Sequence, residues 1–280
     1  MQDVTPRLGR VLAGLLMLVL ATAATAQDLI FTAPPREPTE AGKKLYTPLV
    51  QHLSQLLGRP VRYEHPRNWL NYQRDMRNDK YDIVFDGPHF ASWRIAHLGH
   101  QVVAKLPGTL EFYLLTHAGN NLINSPDDLV GKKICGISPP NLSTLSVLAY
   151  YQNPVRQPVI KGIRGGMGKV YKTFMGKGGC DALVLRTTFF KKKLNDEQRR
   201  QLKIIYHTPP LPNQVITVSK RLSPVDRAKM VKSLTEGPGK VAAAGIVRRF
   251  GGKKAKSFIP AQQQEYLGHN ELLEGVIFGW

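Results

Sequence analysis

From Leu29 onward, short apolar runs alternate with stretches in which apolar residues recur every three or four positions. Strand and helix periods that alternate along a whole chain restrict the fold to the α/β class, with mostly parallel sheets flanked by helices. Strands are expected at Leu29–Thr32, Val61–Glu64, Tyr81–Phe85, Val102–Lys105 and Glu111–His117. Between them, Leu45, Leu49, Leu53, Leu56 and Leu57 trace a helix with Thr39 as N-cap and Gly58 as stop, in which Pro48 allows a kink. Further helices are expected over Trp69–Arg77 and His89–His97. The pattern starts afresh at Lys133. Strands at Lys133–Ile137, Pro158–Ile163, Cys180–Leu185, Leu202–Tyr206 and Gln214–Ser219 alternate with helices at Leu142–Gln152, Lys169–Met175 and Ser223–Leu234. The last has Ser223 as N-cap and Pro224 at its first position. Two starts of one pattern predict two α/β lobes, with a ligand cleft at the carboxyl ends of the strands.

The first 26 residues read as a secretory signal peptide. Arg7 and Arg10 supply the positive end, Val11–Ala21 the apolar stretch, and Ala24-Thr25-Ala26 a small-x-small cleavage site before Gln27. An uncleaved N-terminal anchor is the alternative. The remaining ~250 residues suffice for one large domain or two modest lobes. Export disfavours ATP-driven and nicotinamide chemistry and favours capture, sensing or hydrolysis.

Basic residues number 39 against 20 acidic, a net charge of +19. That excess suits an anionic ligand or surface. The basic clusters, Lys191-Lys192-Lys193, Arg199-Arg200, Arg248-Arg249 and Lys253-Lys254, are dispersed and flank expected helices. A solvated face is therefore expected rather than a nucleic-acid stripe. Cys135 and Cys180 are the whole thiol inventory. In an oxidising compartment such a pair invites a disulfide, two separate buried thiols being the other possibility.

Two turns stand out. Pro139-Pro140-Asn141-Leu142-Ser143-Thr144-Leu145-Ser146 follows a strand and opens a helix, where free N–H groups and hydroxyls favour an anion. Ordinary capping by Asn141 or Ser143 explains the same residues. Asp86-Gly87-Pro88-His89 ends another strand; Gly87 permits close backbone approach and Pro88 suits a first helical position. A plain strand-to-helix turn is the alternative. Gly165-Gly166-Met167-Gly168-Lys169 fails as a phosphate loop because Val170 stands where Ser or Thr is needed. Hydrolase and metalloprotease motifs are absent and the eight His are scattered, so no catalytic residue, cofactor or metal is expected.

The chain resembles the phosphonate/phosphate/phosphite-type solute-binding proteins of ABC importers. The resemblance rests on Tyr46-Thr47-Pro48-Leu49-Val50-Gln51-His52-Leu53 through Leu57-Gly58-Arg59-Pro60-Val61, on Tyr81-Asp82-Ile83-Val84-Phe85-Asp86-Gly87-Pro88, on Asp127, Leu129 and Gly131-Lys132-Lys133, on Ser143-Thr144, and on Gly179-Cys180-Asp181-Ala182. It implies a type II periplasmic-binding-protein clamshell: a signal peptide at 1–26, a first lobe of 27–113 with 213–280 returning to it, and a second lobe of 114–212. It implies further that Ser143, Thr144, Leu145 and Ser146 grip one end of a small anion. Tyr46, Asp86, Gly87, Pro88 and His89 would grip the other, with Arg186 and Gln214 nearby.

Four departures bear on the ligand. The family's Ser-Thr-Ser-Gly turn reads Ser143-Thr144-Leu145-Ser146, and a second-lobe His is replaced near Gly166-Met167. Asp86 stands where an aromatic residue is common, so an Arg such as Arg186 or Arg164 is needed to offset it. Thr188 and Gln214 are neutral where some members hold an amine with carboxylates, which points away from an aminophosphonate. In such a fold the strands of Cys135 and Cys180 lie side by side, which implies a disulfide. The function implied is capture of a phosphorus-oxyanion-like solute in the periplasm by a monomer, not an enzyme, and delivery to a membrane ABC permease. A signalling receptor in the permease's place and a basic envelope-binding role remain open.

Overall fold

The computed structural model describes residues 28–176, 179–252 and 254–274; the expected signal peptide lies outside them. The first half runs β1 (Leu29–Thr32), α1 (Thr39–Leu57), β2 (Val61–Tyr63), α2 (Trp69–Arg77), β3 (Ile83–Asp86), α3 (Pro88–Leu98), β4 (Gln101–Lys105), β5 (Thr109–Leu110) and β6 (Phe112–His117). The second runs β7 (Lys133–Ile137), α4 (Leu142–Leu148), β8 (Val159–Ile163), α5 (Met167–Met175), β9 (Ala182–Arg186), α6 (Thr187–Lys193), α7 (Asp196–Arg200), β10 (Leu202–His207), β11 (Leu211–Pro212), β12 (Val215–Val218), α8 (Pro224–Thr235), α9 (Gly239–Ala242), α10 (Ala244–Phe250), β13 (Ile259–Pro260) and α11 (Glu271–Glu274).

These strands build two large sheets. One has the order β13-β4-β12-β3-β1-β2, the other β10-β6-β9-β7-β8. The chain is α/β as expected, but the sheets are mixed rather than mostly parallel. β1 runs parallel to β2 and β3, and β7 to β8 and β9, while β12, β4, β13, β6 and β10 join antiparallel. Helical crossovers make the parallel triplets; strands that arrive by the two passages between sheets enter in the opposite sense. Those passages are themselves paired, β5 against β11.

Local chemistry explains the boundaries. α1 buries Tyr46, Leu49, Val50 and Leu53 on one face and ends at Gly58 with φ 65°. It runs through Pro48 unbroken, and its N-cap is Pro38 rather than Thr39. α8 begins as read: Ser223 Oγ accepts from the Asp226 N–H at 3.1 Å, and Asp226 reaches back to the Ser223 N–H. α4 stops at Leu148, short of Gln152. Tyr151 turns away to donate to the Pro126 carbonyl at 2.7 Å, and Pro154 disfavours helix just beyond.

Cys135 on β7 and Cys180, just before β9, form the implied disulfide, with Cα atoms 5.7 Å apart. β1, β3 and β12 pack on α1, α8 and α10 in one core. The five-stranded sheet has a core on each face. Leu145 of α4 joins Tyr72, Val84, Phe90 and Leu273 in a cluster across the two sheets.

Candidate functional site

A cavity of about 160 Å³ lies where the two sheets meet. Much of its lining comes from residues that follow strand carboxyl ends: Arg36 after β1, Gly87 and His89 after β3, Pro140, Asn141 and Leu142 after β7, and Arg186 at the end of β9. That is the position α/β sheets use for ligands.

Asp86 is not in the cavity. It is fully buried beneath it, with both carboxylate oxygens 2.8 Å from the Arg94 guanidinium. The Tyr72 hydroxyl also donates to it, and Arg94 donates onward to Thr217 Oγ1 at 3.0 and 3.2 Å. The arginine that offsets Asp86 is therefore Arg94, nearly two helical turns into α3, not Arg186 or Arg164. Asp86 holds the guanidinium well above its ordinary range despite burial, and burial beside Asp86 raises the Tyr72 phenol likewise. The network fastens β3, α3 and β12, and so holds Gly87, His89 and Gln214, the residues that reach the cavity.

His89 bridges the two sides. Its Nε2–H donates to the Pro140 carbonyl at 3.1 Å, which leaves Nδ1 as a buried lone pair without a partner. A carbonyl acceptor assigns this neutral tautomer. Burial is the main cause that lowers the ring to about 4, against the opposing pull of Asp86. Gly87 is required beneath it: a Cβ there would lie 2.9 Å from the ring. In the unfolded chain His titrates near 6.5. Between those values the unfolded state binds the extra proton, so stability falls as pH drops from about 6.5 towards 4. His100, also buried and lowered by burial, adds a slope of the same sign. Melting midpoints across that range should fall, and His89→Gln should flatten part of the profile. An unchanged slope would mean that His89 is protonated in the fold.

The Ser143–Ser146 turn is internally satisfied. Asn141 Oδ1 accepts from the Ser143 N–H (3.1 Å) and hydroxyl (2.7 Å). Thr144 Oγ1 donates to the Ile137 carbonyl at 2.6 Å, nested on Gly136, where a Cβ would lie 2.7 Å from it. Ser146 Oγ donates to the Leu142 carbonyl at 2.7 Å, and the N–H groups of Thr144 and Leu145 point at the Asn141 carbonyl. Of the residues named from sequence, Gly87, His89, Arg186 and Gln214 line the cavity; Ser143, Thr144, Leu145, Ser146, Tyr46, Asp86 and Pro88 do not. Tyr46 is buried against Phe31, Tyr63 and Phe85. Pro88 opens α3, and Leu145 packs in the cluster across the sheets.

Two guanidinium groups dominate the cavity. Arg186 caps α6, and its Nε is buried without a partner. Among the described residues no carboxylate lies within ion-pair distance of it, and burial pulls its pKa below the ordinary range. Arg36 donates to the Phe85 carbonyl (3.4 Å) and sits 4.6 Å from the Phe250 ring centroid, its own Nε also unpartnered. Among the described residues, neither Asp nor Glu lines the cavity. Sequence reasoning passed over Arg36; the available signal was its place just after the Pro34-Pro35 turn that ends β1. Trp69 reads as a helix residue, Phe112 as a strand residue and Met167 as part of a failed phosphate loop, so none stands out in the sequence for a ligand.

Residues 31–266 match the profile of the ABC transporter phosphonate periplasmic substrate-binding proteins. The chain belongs to that family. It is similar to the phosphate-import protein PhnD of Mycolicibacterium smegmatis, 22% identical over 275 residues that take in 86% of this chain and 84% of that protein. Among solved structures, a Xanthomonas citri protein bound to ATP superposes with a TM-score of 0.69 at 13% identity, covering 89% of this chain and 96% of that one. PhnD1 from Prochlorococcus marinus in complex with methylphosphonate gives 0.64 at 16% identity, covering 90% and 100%. At such identities the structural likenesses show the fold, a two-lobed type II periplasmic binding protein. The family works in transport rather than catalysis, and among the described residues no helix is long and apolar enough to cross a membrane.

Proposed function

We propose that this protein, after removal of residues 1–26, captures a small anionic solute in the cavity between its sheets and delivers it to the permease of an ABC importer. The observation that carries this reading is a cavity lined by Arg36 and Arg186 and, among the described residues, by no carboxylate. A partly buried cation without a counter-ion is held at some cost, and a bound anion relieves that cost. The lobes comprise 27–113 with 213–280, and 114–212. They close as one monomer around the ligand, because only the shut form lets residues of both touch it. His89 and Gln214 orient the anion beside the arginines. The Ser143–Ser146 turn forms a wall behind Asn141 and Leu142, since its hydroxyls reach a ligand only by giving up their present acceptors.

Thermal melting of the mature protein with phosphate, methylphosphonate, phenylphosphonate, sulfate and benzoate at fixed ionic strength tests the reading, since a ligand of the native state raises the midpoint. At least one anion should give a saturable shift, and Arg186→Gln should weaken that binding at least tenfold. Thr144→Val should instead cost about 1 kcal/mol of stability, the worth of its hydrogen bond, with a smaller effect on binding. No shift with any anion, or full affinity in Arg186→Gln, would remove the cavity from the reading.

A further inference from the structure

The walls of the cavity say more about the ligand than its charge. Apart from Arg36, Arg186, His89, Asn141 and Gln214, the lining is hydrocarbon, aromatic ring or thioether, with the one glycine, Gly87. Trp69 and Phe90 are stacked there, centroids 6.0 Å apart and planes 16° from parallel. Phe112 and Met167 enter from the side of the five-stranded sheet. Polar groups are thus few, and the two cations among them lie against a largely apolar enclosure.

We infer that the ligand is an oxyanion carrying a flat apolar substituent, its anionic head on Arg36 and Arg186 and its apolar arm against Trp69, Phe90, Phe112 and Met167. This rests on the anion-capture reading above. Inorganic phosphate has polar oxygens on every side, and in this enclosure those turned to the apolar wall would lose their water without replacement. An aryl arm presents hydrocarbon to that wall instead and is released from water by it. The buried Nδ1 of His89 and Oε1 of Gln214, neither with a partner, leave acceptors for a hydroxyl proton on the head group. A cavity of about 160 Å³ limits the arm to roughly one ring, being well under the ~300 Å³ of drug-sized sites.

Isothermal titration of the mature protein with phenylphosphonate, benzoate, methylphosphonate and inorganic phosphate tests this. At least one of the two aromatic anions should bind at least tenfold more tightly than phosphate, and Met167→Gln should narrow that ratio. Trp69→Leu serves as a second variant, with the melting midpoint of each checked first to confirm folding. Phosphate or methylphosphonate binding as tightly as both aromatic anions would overturn the apolar-arm inference and leave anion capture standing. An unchanged ratio in both folded variants would overturn it as well. Binding of none of the four would overturn both.

Discussion

Replacing Asp86 with Asn should lower the unfolding free energy by about 3–5 kcal/mol, the cost of leaving a buried charge uncompensated. The Arg94 guanidinium is 1% exposed and Asp86 fully buried, so water cannot take the place of the missing partner. Arg94→Met should cost a similar amount, because the Tyr72 hydroxyl alone cannot neutralise the carboxylate. The double variant, Asp86→Asn with Arg94→Met, should recover much of the loss, since it removes both charges together. Urea unfolding of the four proteins measures this coupling. Single-variant losses under about 1 kcal/mol would mean that the pair is hydrated and does not anchor the site. The expected loss reaches function too, because the pair holds the strand ends from which Gly87, His89 and Gln214 enter the cavity.

Removing the Cys135–Cys180 bridge should cost about 4 kcal/mol by the chain-entropy relation for the loop it closes, given a separation of 45 residues. The bridge ties β7 to the start of β9, and the far ends of those strands carry Ile137 and Arg186 into the cavity. The Cys135→Ala, Cys180→Ala double variant should therefore melt lower and bind anions more weakly when measured at the same temperature. Guanidinium unfolding with and without reductant gives the stability change. A loss below about 1 kcal/mol would mean that the reduced, unfolded chain retains compact structure across this loop.

How much of this was legible beforehand differs between fold and site. The periods of apolar residues placed α1, α2, α8 and nearly every long strand, because each such element buries one face or one run and its sequence must show it. The sense of the outer strands was not legible: β12 and β6 run antiparallel to their neighbours because of where the chain re-enters each sheet, and periodicity carries no direction. The capping at Ser223 was readable because its partner is three residues away. The fate of Ser143, Thr144 and Ser146 was not. Their hydroxyls looked free for a ligand, yet each finds an acceptor within seven residues, and sequence does not say which of two local bonds wins.

By itself the sequence determined the α/β class and the two starts of the pattern, while its resemblance to a known family implied the cysteine bridge and the family to which the chain belongs. The class and the two starts follow from local period, residue type and order along the chain. Only the tertiary structure decided that Asp86 pairs with Arg94, and that Arg36 and Arg186, 150 residues apart in sequence, line one cavity. It alone placed Trp69, Phe112 and Met167 in the cavity wall. The physical reason is that burial and charge pairing depend on distance in space. A guanidinium in a loop reads the same in sequence whether it faces water, a carboxylate or a cavity.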